Sequence, residues 1–591
     1  MSPKHLFFPP LDKLLVRTIP CKNAITKFMV FPYLIIFLIS GLRLIYAVNL
    51  DILPDEAYYW EWSRNLDSSF YDQGPGVAFY IRCFTSLFGN NIFALKFASI
   101  FASAISLWII YLTGEQLNFS KTKKVLMFGI FIFMPAFFSG SLVIMHDTCL
   151  ILFWMIALFF SIKYIHSHKS LDLYVTFIAM GLGFLSKHTM VFFAASLIIW
   201  LLISPEEYKL LKNKHFYIAF ALAFGIISPM ILWNVRHNWD NIDAIIHLRS
   251  AGGAEYEGSN MDTFIAGQMI AISPIWFFAI LLIAVSSAYA GIRSLKSKKP
   301  IFIMAGSSEP YSSAMKLLTI NALILPIFFL FLSSKKMVQA NWTFPSYPAM
   351  ILVVVGLFPE TAITGKEKTL RRLIFSGFIF ALAMDVFFLF PQAISGIVKL
   401  KGSSFSNPIE RYKGYKEAIF EIEKLQKEKH SGSTLVANRY QDASIASWYL
   451  SGKPFIQSIN ILQKNQYTYW NKMEKGKDYM LFYIQENTCE KSFVFFQPLL
   501  ESMFEEVTEY PEKEILMNGV AVKRYQVWHG KNYKQDWATS FFASLNDQLL
   551  FIHSQGLVGE ESGGNSKSQK KLIQAVQNYL LSKGEINCST F

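Results

Sequence analysis

The chain has 591 residues, of which 53% are hydrophobic, 16% aromatic and only 16% charged, well short of the roughly one quarter charged that soluble domains carry. Its net charge of +13 does not mark a nucleic-acid binder, because the surplus lies between apolar blocks in the first 400 residues while residues 401–591 are close to neutral. That distribution belongs to loops facing an anionic leaflet and excludes an ordinary soluble protein.

In chain order, residues 1–28 are polar and basic and read as a cytoplasmic N-terminal segment without a cleavable signal. A bilayer core of about 30 Å needs about 20 helical residues. Eleven stretches are read as spans: 29–48, 91–113, 124–143, 148–166, 171–186, 189–204, 215–235, 264–292, 316–333, 343–358 and 373–392. They make residues 29–392 a transmembrane domain, with a first exported loop over 49–90. Basic clusters such as Lys121/Lys123/Lys124, Lys209/Lys212/Lys214 and Lys366/Lys368/Arg371/Arg372 then all fall on one side, which the positive-inside rule makes cytoplasmic. Asp51, Asp55, Glu56, Glu61, Asp67 and Asp72 fall on the other.

Two long apolar stretches show where polar interruptions surface. Residues 124–166 would make a helix of about 65 Å, two crossings, with His146-Asp147 at its midpoint. Residues 171–204 would make about 51 Å, with Lys187-His188 at its midpoint. Both turns emerge on the side of Asp55-Glu56. A transporter would more often hold such groups at mid-depth and show two similar halves, and no internal repeat is visible.

From about residue 393 the pattern becomes that of a small α/β domain. Strand-like segments at Thr434–Ala437, Tyr479–Ile484, Phe493–Phe496 and Val520–Val527 accompany helical patterns at 411–430 and 570–582. Residues 393–591 are read as an exported domain and tail, with Gly563–Ser566 as a linker. None of the five cysteines has a metal-ligand spacing, and Cys489 and Cys588 are candidates for one disulfide in that exported region. Ala251-Gly252-Gly253-Ala254, in the loop 240–262, has the composition of a mobile gate.

The chemistry concentrates at Leu53-Pro54-Asp55-Glu56-Ala57-Tyr58-Tyr59-Trp60, two adjacent carboxylates beside interfacial aromatics. A solvated loop with aromatic anchors is the simpler alternative. The reaction that fits is glycosyl transfer, in which an acceptor hydroxyl needs a positioned carboxylate to take its proton. A leaving lipid phosphate would need a cation. Arg64, Arg82, Lys187, Arg236, Arg249, Lys335 and Lys336 lie on the required side, with Lys187 and Arg236 preferred because both adjoin a span. His146, His188 and His237 match no metal-ligand pattern, so neither a metal nor another cofactor is expected.

These blocks occur in an order that resembles the membrane GT-C glycosyltransferases of family 39 type, which include protein O-mannosyltransferases and lipid A aminoarabinose and galacturonic acid transferases. The resemblance rests on Asp55–Trp60, Tyr71-Asp72-Gln73-Gly74-Pro75, His146-Asp147, Gly183–Thr189, Asn341-Trp342 with Pro345–Pro348, and Tyr440–Ser444. Gln73-Gly74-Pro75 departs from the His-Pro-Pro common at that place. The resemblance implies an inverting transferase that moves one sugar from a polyprenyl phosphate onto an envelope glycolipid, lipid A or lipopolysaccharide core, in a bacterial inner membrane. Its alternatives are a protein acceptor or, in a different class, a transporter or flippase. It implies Asp55 as base, Glu56 as its support and Asp147 as a further catalytic carboxylate. Lys187 and Arg236 would meet the donor phosphate; Tyr58, Tyr59, Asp72, His146 and Asn341 would bind sugar or acceptor.

Overall fold

In the computed structural model, residues 25–246, 260–281, 309–358, 365–389, 413–459, 465–470, 473–486, 500–501, 503–517 and 520–534 are described. The Cys489–Cys588 pairing, the 251–254 gate, Arg249, the 493–496 strand and the 570–582 helix all lie outside the described residues.

The first helix, α1 (Ile25–Ala47), leads into α2 (Pro54–Arg64) and α3 (Gly76–Phe88). Then follow α4 (Ile92–Gln116), α5 (Lys121–Phe133), α6 (Pro135–Gly140), α7 (His146–Ser167) and α8 (Ser170–Ser186). The series continues with α9 (Val191–Ile203), α10 (Lys214–Arg236), α11 (Asp240–Ile246), α12 (Met261–Ile272) and α13 (Pro274–Leu281). It ends with α14 (Glu309–Ser333), α15 (Tyr347–Gly356) and α16 (Gly365–Leu389).

Among the described residues every one of the eleven apolar stretches contains helix, yet only five helices are long and apolar enough to cross a bilayer. They lie in α4, α7, α10, α14 and α16. Two bent pairs raise the number to seven if each is one span: residues 188–203 with 205–212, bent by 116°, and α12 with α13, bent by 105°. The shortfall has local causes. Pro135 starts a new helix and breaks the 124–143 stretch, since proline has no N–H to continue the ladder. The 343–358 stretch begins as a 3-10 turn over Ala340–Ser346 before α15.

The helices bury one large apolar core that includes Trp154, Phe193, Trp200 and Tyr347. On the outer surface, Phe37, Ile198, Phe220, Phe224, Phe331 and Ile379 remain exposed, as lipid-facing side chains must. Charged groups are also buried inside this helical region. Glu56 accepts from Lys96 Nζ at 2.7 and 2.9 Å. Arg43 of α1 is buried against α4 and α5, donating to the Ile132 carbonyl at 2.8 Å, and it feels the charge of Asp385 in α16.

Residues 415–534 form the α/β unit anticipated from the strand-like segments. Helix α17 (Tyr415–Lys429) precedes β1 (Thr434–Ala437), α18 (Tyr440–Tyr449), β2 (Gln457–Ser458) and α19 (Tyr467–Trp470). The strands β3 (Tyr479–Glu486), β4 (Phe504–Glu509), β5 (Lys513–Met517) and β6 (Val520–Tyr533) follow. The mixed sheet runs β2-β1-β3-β6-β4, with β5 also on β6. The β1–β3 pair is parallel and joined through α18, the crossover that parallel strands require.

This unit packs on the first loop. One apolar cluster is continuous from Trp60, Trp62 and Phe70 to Tyr440, Trp448 and Tyr467. Trp60 meets Trp448 edge-on at 5.0 Å, and Lys453 lies 3.8 Å above the Trp448 ring. Arg64 donates to the Lys453 carbonyl at 2.8 Å.

Candidate active site

Helix α2 starts at Pro54, whose missing N–H costs nothing at a first helical position, and the two acids behind it favour the positive end of the helix dipole. Successive helical residues point about 100° apart, so Asp55 and Glu56 cannot share a role. Glu56 is fully buried. Besides Lys96 it accepts from the backbone N–H of Ile144 at 3.0 Å and of Leu53 at 3.1 Å. Those bonds tie α2 to α4 and to the segment before α7, so that Glu56 holds the helix that carries Asp55. Asp55 keeps a partly exposed position at the same helix start.

Three carboxylates from three separate elements act on one phenol. Burial, and then the carboxylates of Asp55, Asp72 and Asp147, hold the Tyr59 hydroxyl well above the usual phenol range, so it stays protonated. Its ring meets His146 edge-on at 5.3 Å. Tyr58 donates to Asp72 Oδ2 at 2.6 Å. Burial raises the Asp72 carboxyl to about 6, against the Tyr58 bond that lowers it and with Asp55 adding to the rise.

Asp147, in the first turn of α7, gathers the second group. Lys187 Nζ donates to its Oδ1 at 2.7 Å and Asn341 Nδ2 to its Oδ2 at 3.1 Å, while His146 Nε2 lies 3.5 Å from Oδ2. Lys187 follows α8 directly, in extended backbone, and Asn341 lies in the 3-10 turn before α15. Four expected site residues from three parts of the sequence therefore meet at one point. Beneath them a cavity of about 110 Å³ opens between α4, α6 and α7, edged by Asp147, Asn341, Thr148 and Ser99.

The Gln73-Gly74-Pro75 departure has a geometric reason. A Cβ on Gly74 would stand 2.2 Å from the Leu185 carbonyl oxygen, and one on Gly76 would stand 2.8 Å from the Ser186 backbone. The loop is pressed onto the end of α8, next to Lys187. Gln73 itself pairs with His188 at 2.9 Å.

The other cations stand elsewhere. Arg64 is held by Glu61 and the Lys453 carbonyl, and Arg82, Lys335 and Lys336 are exposed. Arg236 is exposed at the end of α10 and makes no ion pair among the described residues; Trp233 and His237 anchor that helix end instead. No group of three or more His, Cys, Asp or Glu among the described residues is placed to hold a metal ion.

Three residues joined to the site escaped the list drawn from sequence. Lys96 is one. The Tyr440 ring lies 4.4 Å from that of Tyr58, tilted by 44°, and feels Asp55 first among the charged groups. Its motif, Tyr440–Ser444, was visible, but its contact with α2 was not. Gln466, which bonds both Tyr58 and Tyr71, carried no local signal.

The chain is similar to known proteins in sequence and fold. A family model described as dolichyl-phosphate-mannose-protein mannosyltransferase matches residues 72–233. The lipid A galacturonosyltransferase RgtD of Rhizobium johnstonii is 24% identical over 342 residues, 54% of this chain and 70% of that protein. The crystal structure of ArnT from Cupriavidus metallidurans in the apo state superposes with a TM-score of 0.56 at 11% identity, covering 85% of this chain and 98% of that one. The same ArnT bound to undecaprenyl phosphate gives a TM-score of 0.56 at 12% identity over the same shares.

Proposed function

We propose that this chain, a multi-pass membrane glycosyltransferase of the GT-C fold, moves one sugar from a polyprenyl-phosphate donor onto lipid A or lipopolysaccharide core. The observation that carries the reading is the meeting of Asp55, Asp72 and Asp147 around Tyr59 with Lys187 bound to Asp147. An anionic lipid phosphate and a sugar hydroxyl are both served by such a site. The name of the galacturonosyltransferase relative and the undecaprenyl phosphate bound to ArnT support the same donor and acceptor classes.

In this mechanism Asp55 takes the proton of the acceptor hydroxyl as its oxygen attacks the anomeric carbon. The bond from that carbon to the phosphate oxygen breaks, the polyprenyl phosphate leaves, and the anomeric configuration inverts. Lys187 meets the charge that grows on the phosphate. An ammonium has three donors and Asp147 takes one, so two remain for phosphate oxygens. Asp147 holds the lysine, Asn341 holds Asp147, and both line the cavity where a sugar would rest. Arg236, exposed at the end of α10, would act at the outer edge of the lipid headgroup.

The same proposal sets eleven crossings with a cytoplasmic N-terminus and residues 393–591 in the periplasm, no metal, and a bacterial inner membrane as the location. A protein acceptor is the second reading, favoured by the family model over 72–233. Purified protein given radiolabelled polyprenyl-phosphate sugars and total envelope extract separates the two. Label extracted with lipid supports the glycolipid reading, and label retained in protein overturns it. A reporter fused after residue 400 that proved cytoplasmic would overturn the topology.

A further inference from the structure

Gln466 belongs to the C-terminal unit, yet its bonds end in the active-site loops. Its backbone N–H donates to the Tyr58 hydroxyl at 2.9 Å, and that hydroxyl donates to Asp72 at 2.6 Å. Its side-chain Oε1 accepts the N–H of Tyr71, one residue before Asp72, at 2.8 Å. Gln466 is 2% exposed, so neither bond is shared with bulk water. Three residues on, Tyr469 donates to Asp240 Oδ2 and packs against Trp233 and His237 at the end of α10. A single short segment, 465–470, thus reaches α2, the loop before α3 and the α10–α11 turn.

We infer that Gln466 is a positioning residue: it fixes Asp72 from two directions and, through the Tyr58 hydroxyl, ties it to α2, the helix that carries Asp55, so that the C-terminal unit completes the active site. The inference rests on Asp55 being the base. Asp55 and Asp72 interact electrostatically, and both act on Tyr440 of the same unit. Tyr58 follows Asp55 by one helical turn on α2, so releasing the Gln466 bonds lets Asp72 drift relative to Asp55. Misplacement by about 1 Å can cost about 100-fold in rate.

The test uses the full chain in detergent with the polyprenyl-phosphate sugar that wild type turns over. Gln466→Met removes the Oε1 acceptor at nearly constant volume, and Tyr58→Phe cuts the link between the Gln466 N–H and Asp72. In Gln466→Met, kcat is expected to fall about 10- to 100-fold with donor KM within about twofold. Hydrogen exchange in residues 66–75 should quicken while the unfolding midpoint stays near that of wild type. Tyr58→Phe should move the acid limb of kcat/KM to higher pH, because Asp72 loses the bond that favours its ionised form. The double variant should lose no more than the worse single one, since both act through Asp72. Unchanged kcat and exchange in Gln466→Met, beside an inactive Asp55→Asn, overturns this inference alone. An active Asp55→Asn overturns the base assignment and this inference with it.

Discussion

Lys187 Nζ stands 2.7 Å from Asp147 Oδ1, joining the residue after α8 to the first turn of α7 with side chains 7% and 12% exposed. Removing one partner of a buried pair strands the other, at a cost of about 3–5 kcal/mol. Lys187→Ala is therefore expected to lower the unfolding midpoint in detergent and to raise donor KM together with a lower kcat. Lys187→Arg keeps the charge but not the point contact, so it should recover stability better than turnover. Thermal unfolding and donor titration on the same preparations check both.

Glu56 and Lys96 form the companion pair, with both side chains fully buried. Lys96→Met alone leaves an uncompensated carboxylate and should destabilise by about 3–5 kcal/mol. Glu56→Gln with Lys96→Met removes both charges while an amide oxygen remains for the Ile144 N–H. That double variant should fold and turn over within about tenfold of wild type, an outcome impossible for a residue that itself takes the proton. Turnover lost while the fold is kept would return Glu56 to the chemistry.

At Gly74 the backbone of Leu185 leaves no room for a methyl group. Gly74→Ala should destabilise by about 1–3 kcal/mol or more, as overpacking does, and should displace the end of α8 that carries Lys187. Gly140, where an added Cβ meets nothing within 4 Å, is the control: Gly140→Ala should leave the midpoint nearly unchanged. Paired unfolding curves decide it.

The seam between α2 and the C-terminal unit should respond to pH through Glu61. Its side chain is fully buried beside Arg64, and Oε1 has no hydrogen-bond partner. Burial pushes this carboxyl up to about 7, against the pull of Arg64. The folded form thus favours the protonated acid. The stability it contributes is complete below about 4.5, its ordinary value, and is lost as pH rises through about 7. Glu61→Gln should melt higher than wild type at pH 8, with the difference shrinking toward pH 5. A difference independent of pH would contradict the assignment.

Much of the architecture was legible because the bilayer imposes one rule, long apolar runs for helices, and among the described residues every such run contains helix. The breaks were harder. Pro135 and Pro274 both stand at breaks and are visible in the sequence, but neither announces how sharply the chain turns, 105° between α12 and α13 with Ser273 at φ 85°. Within the site, Asp55 and Asp147 were readable as acids at loop ends, and Lys187 and Asn341 as their neighbours in the same blocks. The division of labour between Asp55 and Glu56 depends on helical phase, which the short aromatic loop concealed. Gln466 lies 408 residues from Tyr58, and no local pattern encodes a contact at that separation.

The central claim is that Asp55 takes the acceptor proton, and turnover by Asp55→Asn beside wild type tests it most directly. The amide keeps the shape and removes the basic oxygen. With radiolabelled polyprenyl-phosphate sugars and envelope lipid, wild type should transfer label and Asp55→Asn should fall by about 100- to 10,000-fold at an unchanged unfolding midpoint. Equal transfer by the two proteins would contradict the account.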